Sequence, residues 1–162
     1  SGGVGGALIQ LAKLRGARVI ALASTEKHAA VSALGADRVL PRSPENLEAE
    51  LADERITVVA DVVGGPDWHS VIDVLERGGR YVSSGAIAGP IVELDLRTFY
   101  LRDLTLLGST VIPPEVTENL IRYIESKAIR PVLAASYPLE QLREAQTAFI
   151  AKAHTGNIVV TP

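Results

Sequence analysis

Helical and extended hydrophobic patterns alternate along this chain with short punctuation between them, and they begin on a glycine-rich turn, Ser1-Gly2-Gly3-Val4-Gly5-Gly6. Such alternation builds a parallel sheet with helices packed on its faces, so an α/β fold is expected. Ala7, Leu8, Leu11, Ala12 and Leu14 mark an apolar helical face that stops at Gly16. Residues 19–23 are a continuous β-type run, the pattern of a strand buried on both faces. Ser24 or Thr25 then caps a second helix that runs to about Leu34, with Gly35 as its C′ residue. A short strand follows at 38–40. Ser43-Pro44-Glu45 supplies an N-cap, a proline at N1 and a first-turn acid for a helix to about Asp53.

The second half repeats the rhythm. A strand is predicted at 56–63, a helix at 66–76, a break at Gly78-Gly79 and a strand at 80–84 that ends at Gly85. One or two helical turns fall within 94–102, a strand runs from Leu104 to Thr110, and an amphipathic helix covers 114–127. The remainder, with a strand at 132–135, a helix from 139 to about 152 and a strand at 157–161, is an appended β-α-β segment. This change of character divides the chain into residues 1–128 and a C-terminal segment over 129–162.

A glycine-rich turn that opens a helix presents backbone N–H groups and the positive end of the helix dipole to an anion. Gly2 and Gly5 fit the second and third glycines of G-x-G-x-x-G, and the first would lie just before Ser1. In a doubly wound sheet of order 3-2-1-4-5-6 the strand before that turn is central, and it is absent from this sequence. The expectation is therefore a Rossmann sheet lacking its first strand, in a piece of a longer chain. The end of the next strand selects the nucleotide. An NAD site usually carries an acid there, whereas this tip reads Ala23-Ser24-Thr25-Glu26-Lys27. A small hydroxyl residue with Lys27, and Arg42 after the third strand, suits a 2′-phosphate, so NADP is favoured, with NAD possible. Glu26 is the residue that argues the other way, and solvated or capping roles for Ser24, Thr25 and Lys27 remain open alternatives.

Composition narrows the classes further. At 47% hydrophobic and 22% charged the 162 residues can build a core. A net charge of −3 with scattered cations gives no basis for nucleic-acid or membrane-surface binding. No apolar run is long enough to span a bilayer. With no cysteine, neither a four-cysteine zinc site nor a complete catalytic zinc site can be built from these residues, and no metal is expected. His28, His69 and His154 fall on different predicted elements without ligand spacing.

Asp61-Val62-Val63-Gly64-Gly65, followed by Leu75-Glu76-Arg77-Gly78-Gly79-Arg80-Tyr81-Val82-Ser83-Ser84-Gly85, resembles the medium-chain dehydrogenase/reductase superfamily, which includes zinc-type alcohol dehydrogenases and zinc-free quinone oxidoreductases. Gly2-Gly3-Val4-Gly5, Ala33-Leu34-Gly35-Ala36-Asp37, Tyr137-Pro138-Leu139 and Gly156-Asn157-Ile158-Val159-Val160 extend the resemblance in collinear order over essentially the whole chain. It implies that 1–128 are an NAD(P)-binding domain incomplete at its N-terminus and that 129–162 belong with the family's catalytic domain, which this sequence lacks. It also implies that Gly2, Gly3, Val4 and Gly5 meet a pyrophosphate and that Ser24, Lys27 and Arg42 surround an adenosine 2′-phosphate. Val63 and Gly64 would border the adenosine side, and Gly85 and Ala86 the nicotinamide. Asn157 stands where the family often has Lys or Arg near the pyrophosphate, so a charged contact becomes a neutral one.

The implied function is the cofactor-binding part of a cytoplasmic NADP-dependent oxidoreductase. It would move hydride to an activated C=C or C=O (a quinone, enone or enoyl thioester) or from an alcohol, and it would be inactive without the family's other domain. Its partners are expected to be a small-molecule substrate and a second copy paired along the edge strand from Leu104 to Thr110, with no nucleic acid or membrane. A Rossmann-like methyltransferase would use a similar glycine turn but would want an acid where Ala23-Ser24 stands. Two further alternatives stand beside the oxidoreductase. One is a nucleotide-binding module without catalysis. The other is a short-chain-type dehydrogenase using Tyr123 and Lys127 with Ser109, against which the Asp61-Val62-Val63-Gly64 turn argues.

Overall fold

The computed structural model describes residues 2–162, and the chain divides into two compact units, 2–42 with 113–162 and 43–112. Every strand ladder is parallel, as the alternation of elements requires.

In the first unit, α1 (Gly3–Leu14) leads to β1 (Ile20–Ala23), a 3-10 turn (Thr25–Lys27), α2 (His28–Ala33) and β2 (Arg38–Pro41). β1 and β2 pair in register from Ile20 opposite Arg38 to Ala23 opposite Pro41. Ile9 of α1, Ala23 of β1, Val31 of α2 and Ala36 form its core, with Val19, Ala21, Leu34 and Val39 packed around them. The helix α1 begins four residues before the apolar face does, because the glycines themselves take helical geometry.

The unit is completed by α6 (Pro114–Glu125), β6 (Leu133–Pro138), a 3-10 turn (Leu139–Gln141), α7 (Leu142–Ala151) and β7 (Asn157–Thr161). β6 and β7 form their own two-stranded sheet, so the expected β-α-β segment is present. α6 stops at Glu125, and Lys127 lies beyond it at φ +59, so Tyr123 and Lys127 do not share one helix as the predicted 114–127 span requires. Arg15 lies over the Tyr123 ring at 6.0 Å.

The second unit holds α3 (Leu47–Glu50), β3 (Ile56–Asp61), α4 (Trp68–Asp73), β4 (Leu75–Ser83), α5 (Leu96–Leu101) and β5 (Thr105–Gly108). Its sheet has the order β3-β4-β5, with β5 on an edge. Trp68, Ile72, Leu75, Tyr81 and Leu104 make the core. Two expectations are corrected here. The helix predicted from Ser43 to Asp53 is a single turn, and its cap is Asn46, whose Oδ1 accepts from the Ala49 N–H at 2.9 Å. Gly78-Gly79 interrupts the β4 ladder without ending the strand. Leu75 pairs with Ile56 and Arg80 with Val58, five steps against two, so the glycines bulge outward. The bulge is held by the Gly78 N–H donating to the Arg102 carbonyl at 2.8 Å, while the Arg102 guanidinium donates to the Leu75 carbonyl. Among the described residues no helix is long and apolar enough to cross a membrane.

Candidate cofactor site

The N-terminus of α1 carries the chemistry of an anion site in its backbone. Gly2 is the extended N-cap, and the first intrahelical bond runs from the Gly6 N–H to the Gly2 carbonyl at 2.9 Å. The N–H groups of Gly3, Val4 and Gly5 therefore have no partner within the helix. Among the described residues no side chain caps this end and no acid stands in its first turn, so nothing neutralises the dipole there. Gly3 leaves room for a neighbour: a Cβ there would overlap the Asn157 side-chain oxygen and displace it. Asn157 is anchored in turn, its backbone N–H and its Nδ2 donating to the Val132 carbonyl at 2.8 and 3.3 Å. An isolated parallel bridge joins Gly2 to Gly156. The structure thus brings Gly2, Gly3 and Asn157 together. Space at Gly5 is open, and Gly6 is the glycine of the helix that packs toward the core, where its Cβ would stand 3.3 Å from the Leu34 side chain.

Ser24 and Arg42 follow two strands in matched register. Ala23 lies opposite Pro41 in the β1–β2 ladder, so the next residue of each strand emerges at the same edge of the pair. Ser24 occupies the N-cap position of the 3-10 turn with extended backbone, but its hydroxyl makes no capping bond, which corrects the expected cap. Arg42 is exposed. Lys27 is held differently: its ammonium donates to the His154 carbonyl at 2.8 Å and to the Lys152 carbonyl, which closes the C-terminal end of α7 onto the turn after β1. An ammonium has three donors, so one stays available. His154 lies against the Phe149 ring at 5.9 Å, and its Nδ1 is buried without a hydrogen bond among the described residues.

The second unit builds its own loop pair after β3 and β4. The Asp61 carboxylate accepts from the Val63 N–H at 2.7 Å, the Gly64 N–H at 3.1 Å and the Tyr81 hydroxyl at 2.8 Å. Tyr81 packs edge-on against Trp68, ring centroids 5.5 Å apart, and burial, followed by the Asp61 hydrogen bond, raises its phenol above the ordinary value of 10.0. The Ile87 and Ala88 N–H groups donate to the Val62 and Val63 carbonyls at 3.3 and 2.8 Å, knitting the second loop to the first. Gly64, at φ +60, bridges to Gly89, and a Cβ on it would stand 2.7 Å from the Gly89 carbonyl and 3.3 Å from the Ala86 Cβ. Val63, Gly64, Gly85 and Ala86 therefore lie on one loop pair. In the sequence Asp61 and Tyr81 stand out only as members of the family motif. The signal available was an acid two residues before a Val-Gly-Gly turn, the spacing of an Asx turn.

The local order of the chain thus matches a glycine turn, a helix and a hydroxyl-tipped strand on one unit, with an Asp-braced Val-Gly-Gly turn on the other. A family model described as zinc-binding dehydrogenase matches residues 3–126. The chain belongs to that family. It lies within the medium-chain dehydrogenase/reductase superfamily, which sets aside the short-chain pattern of Ser109, Tyr123 and Lys127. Acryloyl-coenzyme A reductase of Metallosphaera sedula is 32% identical over 163 residues, covering 99% of this chain and 48% of the relative. The chloroplastic NADPH-dependent alkenal/one oxidoreductase of Arabidopsis thaliana is 34% identical over 166 residues, covering 100% of this chain and 39% of its own length. A Sinorhizobium meliloti protein solved under the provisional name alcohol dehydrogenase superposes with a TM-score of 0.94 at 48% identity, covering 100% of this chain and 46% of that one. The chain spans half or less of the length of these relatives. The family's name refers to zinc, yet among the described residues no group of three or more His, Cys, Asp or Glu side chains could hold a metal ion.

Proposed function

We propose that this chain is the cofactor-binding part of an NADP-dependent oxidoreductase that transfers hydride between the nicotinamide and an activated C=C or C=O. The observation that carries the nucleotide choice is the β1–β2 register, in which Ala23 lies opposite Pro41 and Ser24 and Arg42 are the residues that follow them. A hydroxyl and a guanidinium following the two strands, with no acid at the strand tip, supply donors for a phosphate monoester and lack the carboxylate that usually accepts from a bare ribose. Lys27 adds its remaining N–H from the following turn. The uncapped N–H groups of Gly3, Val4 and Gly5 would take the pyrophosphate, with Asn157 as a neutral neighbour. In the second unit Val63, Gly64, Gly85 and Ala86 are its cofactor-facing residues. Bound NADP(H) supplies the hydride chemistry, and the protein's contribution is to bind and orient it and to exclude water.

The names of the relatives support acceptors of the enone and enoyl-thioester kind. Calorimetric titration of the full-length protein should give NADPH a dissociation constant at least about tenfold below that of NADH. Equal or tighter NADH binding would remove the 2′-phosphate assignment. Absence of turnover with quinones, enones and enoyl thioesters, despite tight NADPH binding, would favour a nucleotide-binding module without catalysis. We also infer that two copies pair along β5, because it ends the β3-β4-β5 order and leaves Leu107 about half exposed.

A further inference from the structure

Two turns into α1, the Gln10 side chain grips a segment 120 residues away. Its Nε2 donates to the Arg130 carbonyl at 3.0 Å and its Oε1 accepts from the Arg130 N–H at 2.8 Å. One amide therefore satisfies both backbone groups of one residue, as a neighbouring strand would. The same Nε2 reaches the Gly6 carbonyl of its own helix at 3.3 Å, which orients the amide. Two residues beyond Arg130, the Val132 carbonyl receives both the backbone and the side-chain N–H of Asn157. Gly156, at φ +93, crosses that carbonyl so closely that a Cβ would stand 2.5 Å from it. Asn157 in turn lies against Gly3, and Gly156 against Gly2. These residues line one cavity of about 180 Å³ that contains Gly2, Gly3, Gln10, Arg130, Val132 and Asn157.

We propose that Gln10 is a positioning residue for the pyrophosphate site: by fixing segment 130–132 it sets Asn157 against Gly3 and so holds the glycine turn in its binding geometry. The proposal rests on the reading of this chain as an NADP-binding part. It follows from connectivity. The segment 130–132 is tied at one end to the middle of α1 by Gln10 and at the other to the helix N-terminus through Asn157, so α1 and this segment brace each other along two turns. Without Gln10 the amide and carbonyl of Arg130 turn to water, and Asn157 loses the fixed end of its anchor. The nearby cations have other roles. Lys13, one turn along α1, is paired with Asp37, and the clamp uses only the backbone of Arg130.

The test compares NADP+ dissociation constants of the full-length protein and its Gln10→Leu and Gln10→Glu variants from pH 8 down to about pH 4, where a carboxyl of ordinary pKa is largely protonated. Gln10→Leu should bind about fivefold more weakly, the loss expected for two partly exposed hydrogen bonds. Gln10→Glu is the sharper variant. As a carboxylate it accepts from the Arg130 N–H but repels the Arg130 carbonyl, whereas the protonated acid donates and accepts as the amide does. Its dissociation constant relative to wild type at the same pH should fall toward one as the pH is lowered. A residue that only stabilised the fold would lower the melting temperature and leave this ratio at one at every pH. If wild type binds NADP+ while Gln10→Leu binds equally well, or the Gln10→Glu ratio is flat, the Gln10 assignment is overturned alone. If wild type does not bind NADP+, the functional reading falls and takes the assignment with it. Should Gln10→Leu fail to fold, the pH dependence of Gln10→Glu decides.

Discussion

Single residues in this protein are fixed by what crosses them. Asp37 follows the Gly35 turn after α2 and receives the Lys13 ammonium on both oxygens at 2.9 Å and the Val19 N–H at 2.7 Å. The Lys13 hydrogen bond, then the Val19 N–H, hold its carboxyl below the ordinary value of 3.8. A folded-state value below the unfolded one stabilises the fold above the unfolded pKa, and that contribution disappears as the pH falls through the folded value. Asp37→Asn should therefore melt below wild type at pH 7, and the difference should close as the pH drops below 3.8. A melting difference that persists unchanged at pH 2.5 would show that charge is not the cause. Asp37 was legible only as part of the Ala33-Leu34-Gly35-Ala36-Asp37 motif; that its partner is Lys13 required α1 and β1 to be placed.

Among the elements, the loops after β3 and β4 show how one acid organises a turn. Asp61 ends β3, and its carboxylate holds two successive N–H groups and the Tyr81 hydroxyl from β4. Tyr81→Phe leaves that carboxylate one donor short in a half-buried place, so the protein should lose about 1–2 kcal/mol of unfolding free energy by chemical denaturation. A loss below the measurement error would mean that water replaces the phenol at no cost. The phenol's raised value also fixes a sign. Its contribution is fully present below 10.0 and is lost as the pH rises beyond it. The same scale shows where periodicity misleads. Ser43-Pro44-Glu45 reads as a helix start, yet Asn46 caps a four-residue turn, because a cap needs its oxygen over the N–H three residues on, and only Asn46 has that placement. Gly78-Gly79 reads as a break, yet the strand resumes because Arg102 receives and supplies the hydrogen bonds the bulge leaves open.

On the scale of the whole molecule the chain is two compact units, each with its own core. Ile72 is 1% exposed within the second core and packs beside Trp68, the single tryptophan of the chain. Ile72→Ala should lower the stability of that unit by about 3 kcal/mol, the usual cost of a buried Ile truncation. Trp68 fluorescence reports the shift in the unfolding midpoint, and a shift under about 1 kcal/mol would mean the core collapses around the void. The β5 pairing is tested by sedimentation of the full-length protein: wild type should be a dimer and Leu107→Lys a monomer. Monomeric wild type would reject the inference.

The alternation of β and α segments, the parallel class, the strand at 157–161 and the family were all carried by local sequence, because periodicity and glycine placement depend on neighbours a few residues away. Tertiary structure alone decided the rest. Lys27 faces the carbonyls of Lys152 and His154, Gln10 holds Arg130, and Asn157 lies over Gly3, each at a separation of more than 100 residues. Pairings of that kind have no local signature. Gln10 does stand between Ala7 and Leu14 at helical spacing, next to Ile9, which the structure buries, and a polar group at the border of a packed face needs a partner. The sequence could therefore indicate that Gln10 bonds to something, while the backbone it grips became visible only once α1 and segment 130–132 stood side by side.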